Sequence, residues 1–209
     1  MNVWCSCEVK ARMVAAKAPM KNTKALWLTL ATSVLFISAN PAEATKVQLE
    51  TTMGNIVLEL DAKKAPKSVA NFLMYTKSGH YNGTVFHRVI NNFMIQGGGL
   101  DAKMNKKPTK KAITNEADNG LKNVVGSVAM ARTGNPHSAT AQFFINVNNN
   151  GFLDHKSKDS RGWGYAVFGK VVKGMDVVNK IKSVKTTRVN GRGDVPVSPI
   201  TIKKATIIK

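Results

Sequence analysis

The 209-residue chain predicts a mainly β fold, an antiparallel barrel or sandwich. Three observations carry this. Short apolar runs with strand-like alternation recur along residues 45–209, only two stretches show helical spacing, and no internal repeat or low-complexity tract interrupts them.

In chain order, residues 47–51 alternate apolar and polar, and residues 56–60 do so less cleanly. Thr52-Met53-Gly54-Asn55 separates the two runs, which reads as a hairpin with Gly54 free to take positive φ. Ala65-Pro66-Lys67-Ser68 opens a helix, with Pro66 in the first turn where an N–H would be unpaired anyway. Val69, Phe72, Leu73 and Thr76 fall on one face, and Gly79 stops the helix. Residues 84–90 and 93–96 read as strands joined by Asn91-Asn92, and Gly97-Gly98-Gly99 breaks the pattern. Residues 100–121 are polar and lysine-rich, a long loop. Residues 126–130, 142–147 and 166–172 are further strands. Residues 174–181 form a short helix with Val177, Val178 and Ile181 inward, and residues 200–208 close the chain as a strand.

The first 44 residues read differently. Met20-Lys21-Asn22-Thr23-Lys24 is basic, residues 25–38 are apolar, and Ala42-Glu43-Ala44 is a small-x-small site. These are the parts of a secretory signal peptide, and the apolar run is shorter than the roughly 20 residues of a membrane span. Cleavage after Ala44 is expected, leaving Thr45 at the N-terminus and no stable membrane anchor. Met13 and Met20 both offer start positions, and a start near Met20 would leave residues 1–19 outside the translated chain. The fold is therefore assigned to residues 45–209, and 1–44 to an N-terminal extension plus leader. Both cysteines, Cys5 and Cys7, lie in that extension, so the domain has no disulfide framework or thiolate chemistry.

The formal net charge is +19, and residues 45–209 retain 26 basic against 10 acidic side chains. The lysines are dispersed in small groups such as Lys106-Lys107 and Lys203-Lys204, with few aromatics among them. This is a solvated basic surface rather than a dedicated nucleic-acid site.

The usual chemistries are poorly supplied. His80, His87, His137 and His155 lack metal-ligand spacing, no G-x-S-x-G turn is present, and no Gly-Lys-Ser/Thr follows Gly97-Gly98-Gly99. Arg192-Gly193-Asp194 matches a short adhesion tripeptide and reads as a chance turn. A reaction needing no nucleophile, metal or cofactor fits better.

Two segments are distinctive. One is Phe86-His87-Arg88-Val89-Ile90-Asn91-Asn92-Phe93-Met94-Ile95-Gln96-Gly97-Gly98; the other is Ser138-Ala139-Thr140-Ala141-Gln142-Phe143-Phe144-Ile145-Asn146. With Met130-Ala131-Arg132, Phe152-Leu153-Asp154 and Tyr165-Ala166-Val167-Phe168-Gly169 in the same order, they resemble the cyclophilin signature over nearly all of residues 45–209, in its bacterial form. The resemblance implies a closed eight-stranded antiparallel β-barrel capped by two α-helices. It implies a monomeric peptidyl-prolyl cis/trans isomerase without cofactor or metal, acting on proline-containing exported polypeptides. The location is then periplasmic, with secretion as the alternative. A proline-peptide-binding chaperone module without significant turnover is the alternative function.

That activity suits the residues present. A peptide bond is planar by resonance, with a rotation barrier of roughly 18–20 kcal/mol. X-Pro isomers are close in energy but exchange in tens to hundreds of seconds. The catalyst must favour the twisted state, and each ~1.4 kcal/mol of preference gives tenfold in rate. Arg88 is the main catalytic candidate: a fixed guanidinium donates to the prolyl nitrogen, whose lone pair is freed only when resonance is lost. By resemblance Phe93 and Gln96 complete the catalytic set. The substrate-binding set is His87, Met94, Ala131, Arg132, Thr133, Gln142, Phe144, Phe152, Leu153 and Tyr165. In a regular strand Phe93 and Met94 point to opposite faces, so both line one site only at a rim or bulge. Phe143 points into the core. Phe152 stands where the best-known eukaryotic members carry tryptophan, Tyr165 where they carry histidine, and Arg132-Thr133 where they carry asparagine-alanine. Cyclosporin binding is therefore expected to be weak.

Overall fold

Strands β1 (Lys46–Thr51) and β2 (Gly54–Leu60) form the expected hairpin, with Thr51 opposite Gly54 and Gly54 at φ 130°. The computed structural model describes residues 45–208, so the leader and its cleavage point lie outside the described residues. Helix α1 (Pro66–Lys77) begins at Pro66 as predicted. Its free N–H groups are capped from far along the chain: the Glu116 carboxylate accepts from Lys67 N at 2.9 Å and from Ser68 N at 2.8 Å. A negative group at a helix N-terminus is the favourable sign.

The span 84–90 is not one strand. It divides into β3 (Thr84–Val85) and β4 (Arg88–Ile90), separated by Phe86-His87. Then follow β5 (Met94–Gly97), β6 (Ser127–Met130), β7 (Phe143–Asn146) and β8 (Val167–Lys173). Helix α2 (Met175–Lys182) buries Val177, Val178 and Ile181. A hairpin the sequence did not signal to us, β9 (Thr186–Val189) and β10 (Arg192–Pro196), precedes β11 (Thr201–Ile208).

Nine strands form one antiparallel sheet in the order β3-β11-β1-β2-β8-β6-β7-β5-β4, and β9-β10 stand apart as a two-stranded ribbon. This corrects the expectation of a closed eight-stranded barrel: the sheet curls but stays open. The cause is the break at Phe86-His87. The Phe86 N–H turns to the Ile200 carbonyl at 2.9 Å, and its ring enters the core. Among the named strands β3 therefore pairs with β11 and β4 with β5, while β3 also meets the segment after β5 through the Thr84–Asp101 bridge and a Val85 N–H to Leu100 carbonyl bond of 2.9 Å. No ladder joins β3 to β4; the two edges are held close by the two-residue connection and by the bonds of β3 to Leu100 and Asp101 beyond β5.

The main core lies inside the curl. Phe72 of α1 sits at its centre, with ring centroids 4.9 Å from Tyr81, 5.3 Å from Phe143 and 5.2 Å from Phe168. Ile95, Ile145, Val128 and Val89 face it from β5, β7, β6 and β4.

Candidate active site

Alternation puts the neighbours of those core residues on the other face of the sheet. There the register lines up a row across five strands: Arg88 opposite Gln96, Gln96 opposite Phe144, Phe144 opposite Ala129, and Ala129 opposite Val167. A second apolar cluster, separate from the core, gathers on this face. Met94, Ala129, Phe144, Leu153 and Val167 are buried in it, and Ile90, Phe93, Ala131 and Tyr165 flank it half-buried.

Phe93 and Met94 join the same cluster because Phe93 is not in a strand. Its N–H closes a turn onto the Ile90 carbonyl at 3.1 Å, and β5 starts only at Met94. The alternation rule applies from Met94 onward. Phe143 faces the core and Phe144 the outer cluster, as predicted.

Phe152 is 64% exposed and stacks on Phe93 with centroids 5.6 Å apart. Tyr165 meets Phe144 edge-on at 5.7 Å, and the Arg132 guanidinium lies 4.5 Å above the Tyr165 ring. Arg132 is held there by donating from Nε to the Gly164 carbonyl at 2.9 Å and from Nη1 to the Thr133 carbonyl at 2.9 Å. The Ala131 N–H donates to the Gln142 carbonyl at 3.0 Å. Gln96 Nε2 donates to Gln142 Oε1 at 2.9 Å, so the two candidate amides are one unit.

Two predicted residues stand apart from the cluster. Thr133 is exposed and bonds to Ser138 Oγ through both its N–H and its hydroxyl. His87 is buried at the seam between β3 and β4, and its Nδ1 has no hydrogen-bond partner among the described residues. Burial lowers its pKa to about 4, with Arg192 and Arg88 adding to the effect, so the ring is neutral near pH 7. A buried neutral imidazole beside Arg88 shapes the site without contributing charge.

Residues that carried no assigned role hold the cluster in place. Asn146 donates to Ser127 Oγ at 2.9 Å and to Asn123 Oδ1 at 3.2 Å. Asn150 Nδ2 donates to Asn146 Oδ1 at 2.7 Å and to the Phe93 carbonyl at 2.8 Å. Asn123 donates to Asp154 Oδ1 from its N–H at 2.8 Å and from Nδ2 at 3.0 Å. This buried chain ties β6, β7, the Phe93 turn and the turn carrying Phe152 and Leu153. Its only sequence sign is a density of asparagines between 146 and 150, which reads equally as a loop.

A groove of about 560 Å³, lined in part by Leu60, Leu121, Val124 and Lys170, shares Leu121 and Val167 with the outer cluster. No candidate site residue lines it. The apolar cluster ending at Arg88 is the better candidate, because it sets a guanidinium and the Gln96–Gln142 amide pair against buried Met94, Phe144 and Leu153.

Comparison with known proteins identifies the family. The sequence model of the family described as cyclophilin type peptidyl-prolyl cis-trans isomerase/CLD matches residues 46–207. A peptidyl-prolyl cis-trans isomerase of Streptomyces antibioticus is 60% identical over 162 residues, 78% of this chain and 98% of its own. Peptidyl-prolyl cis-trans isomerase A of Dickeya dadantii is 54% identical over 187 residues, 87% of this chain and 97% of its own. Among solved structures, a cyclophilin of Cryptosporidium parvum superposes with a TM-score of 0.64 at 26% identity, covering 79% of this chain and 98% of that one. The same protein has been crystallised in the presence of the dipeptide Ala-Pro, again with a TM-score of 0.64.

Proposed function

This chain belongs to the cyclophilin-type peptidyl-prolyl cis-trans isomerase family, and from that premise we propose that it isomerises X-Pro bonds of exported polypeptides, with Arg88 as the catalytic donor. The isomerase activity follows from the family. The substrate compartment and the residue roles are our reading.

The observation that supports the roles best is the outer-face row. Met94, Phe144 and Leu153, with Phe93 at the rim, offer an apolar seat for a proline ring, and Arg88 stands at its polar end. Seating the ring leaves the prolyl nitrogen toward the guanidinium. In the planar amide that nitrogen is a poor acceptor; in the twisted amide it accepts. Arg88 therefore binds the transition state more tightly than either ground state, which is the asymmetry catalysis needs. The Gln96–Gln142 pair supplies a fixed amide next to Arg88 for a substrate carbonyl. Ala131, Arg132 and Thr133 flank the substrate chain, and the Tyr165 hydroxyl serves the carbonyl after proline.

Export is supported by the basic, apolar and small-residue pattern that ends at Ala44. β1 begins at Lys46, so removal of residues 1–44 leaves the first strand whole. The match to the Dickeya dadantii relative also covers more of the chain than residues 45–209 can supply. A periplasmic monomer that turns over proline-containing polypeptides is the resulting picture.

Titration of the ¹³C-methyl-methionine protein with an Ala-Pro peptide tests the site. The Met94 methyl resonance shifts on binding if the ring sits in the outer cluster. A Met94 methyl that stays unmoved while the peptide is bound and isomerised would move the site elsewhere.

A further inference from the structure

The β9-β10 hairpin turns through Asn190-Gly191, both at positive φ (49° and 78°), the arrangement of a tight primed turn. Past the turn its ladder is interrupted. Arg192 pairs with Val189 and Val195 with Thr187, so Gly193 and Asp194 together oppose Arg188. This is a β-bulge, a device that re-aims a side chain. Asp194 itself has φ 59°, a left-handed conformation uncommon for any residue with a Cβ. β10 contacts β4, the edge strand that carries Arg88. The re-aimed carboxylate meets the guanidinium, with Asp194 Oδ2 3.5 Å from Arg88 Nε.

Asp194 is the only ion-pair partner of Arg88 among the described residues. In a domain with 26 basic side chains and 10 acidic ones, one of the few acids is placed at the proposed catalytic arginine by a bulge and a left-handed residue. The Arg192-Gly193-Asp194 tripeptide thus acquires a role.

We propose that Asp194 is a positioning residue that holds the Arg88 guanidinium by its Nε edge, leaving the terminal nitrogens to meet the prolyl nitrogen. This rests on the reading of Arg88 as the donor. Both side chains are nearly half exposed, 43% and 45%, so the pair is screened by salt and its effect is modest. It acts on the orientation of Arg88 in the transition state, so it changes kcat more than KM.

The test compares the full-length protein with Asp194→Asn, Arg88→Ala and the double variant, using NMR exchange rates on an Ala-Pro peptide. Asparagine tolerates the left-handed φ, so the bulge survives while the charge is lost. The expected result is a fall in kcat of about two- to fivefold in Asp194→Asn, with KM unchanged. The wild-type kcat should fall to the same level between about 0.01 M and 1 M salt, where the screening length shrinks from about 30 to 3 Å, while the variant stays flat. The Arg88 Nε–Hε resonance should move and broaden in the variant as solvent exchange quickens, and Asp194→Asn should add nothing to Arg88→Ala. An unchanged or raised kcat in Asp194→Asn, beside an inactive Arg88→Ala, overturns the positioning role alone. An active Arg88→Ala overturns the reading beneath it. Should Asp194→Asn fold poorly, the wild-type salt titration decides: a salt-independent kcat contradicts the proposal.

Discussion

Gln96 donates to Gln142 across 2.9 Å, joining β5 to the residue that leads into β7 and fixing an amide beside Arg88. The pair depends on a close approach elsewhere. A Cβ on Gly99 would stand 2.4 Å from Gln142 Cγ and 2.6 Å from its Cδ. Gly99→Ala should therefore push the Gln142 side chain aside. The lost hydrogen bond is of order 1 kcal/mol, so kcat/KM should fall about fivefold. Gln142 is only half-buried and can move, so the melting temperature should fall by no more than about 2–4 °C. Adding Gln142→Ala to Gly99→Ala should cost no further activity; a second, additive loss would show that the glycine acts by another route.

His87 should make the fold acid-sensitive. Its pKa is about 4 in the folded protein against 6.5 in a free chain. Between those values the unfolded chain binds a proton that the folded chain does not, so stability is full above pH 6.5 and falls as pH drops toward 4. The loss from this residue is about 3 kcal/mol across the window and levels off below it. The Arg88 and Arg192 charges nearby work in the same direction, and the lowered pKa of buried His80 adds to it. Denaturant midpoints for wild type and His87→Phe at pH 7, 5.5 and 4 measure the difference: the variant should lose less stability on acidification. Parallel curves would remove His87 from the account.

Much of this was legible in the sequence, where a single side-chain period governed a segment. Val177, Val178 and Ile181 marked α2, Phe143 and Phe144 divided between core and site, and Gly54 marked the first hairpin. What escaped was set by contacts distant in sequence. Residues 84–90 alternate well enough for one strand, and only the turn of Phe86 toward Ile200 breaks it and leaves the sheet open. Phe93 reads as a strand residue, but a turn bond to Ile90 returns it to the face of Met94. β9 and β10 are polar on most of their surface, so they lack the apolar signal that marks a core strand; Asp194 was hidden with them.

Phe152 should limit cyclosporin binding. Its ring is mostly exposed and already stacked on Phe93, offering a smaller surface and no N–H donor. Wild type should bind weakly by calorimetry, and Phe152→Trp should bind about tenfold more tightly, equal to ~1.4 kcal/mol. Equal affinities would place the limit at Tyr165 or Arg132 instead.

Processing has a simple readout. Expressed in a two-membrane bacterium, the protein should accumulate outside the cytoplasm with Thr45 as its N-terminus, seen by intact mass and N-terminal sequencing. A retained leader would contradict the export reading and leave the isomerase assignment standing.

The central claim is that rotation is catalysed by one guanidinium facing an apolar seat. The most direct measurement is the cis-to-trans exchange rate of an Ala-Pro peptide, by NMR, with wild type and Arg88→Ala at matched concentrations. The account predicts fast exchange with wild type and a loss of about 100-fold or more in kcat/KM for a folded Arg88→Ala, the scale of losing a transition-state donor. Wild-type rates retained by that variant would contradict it.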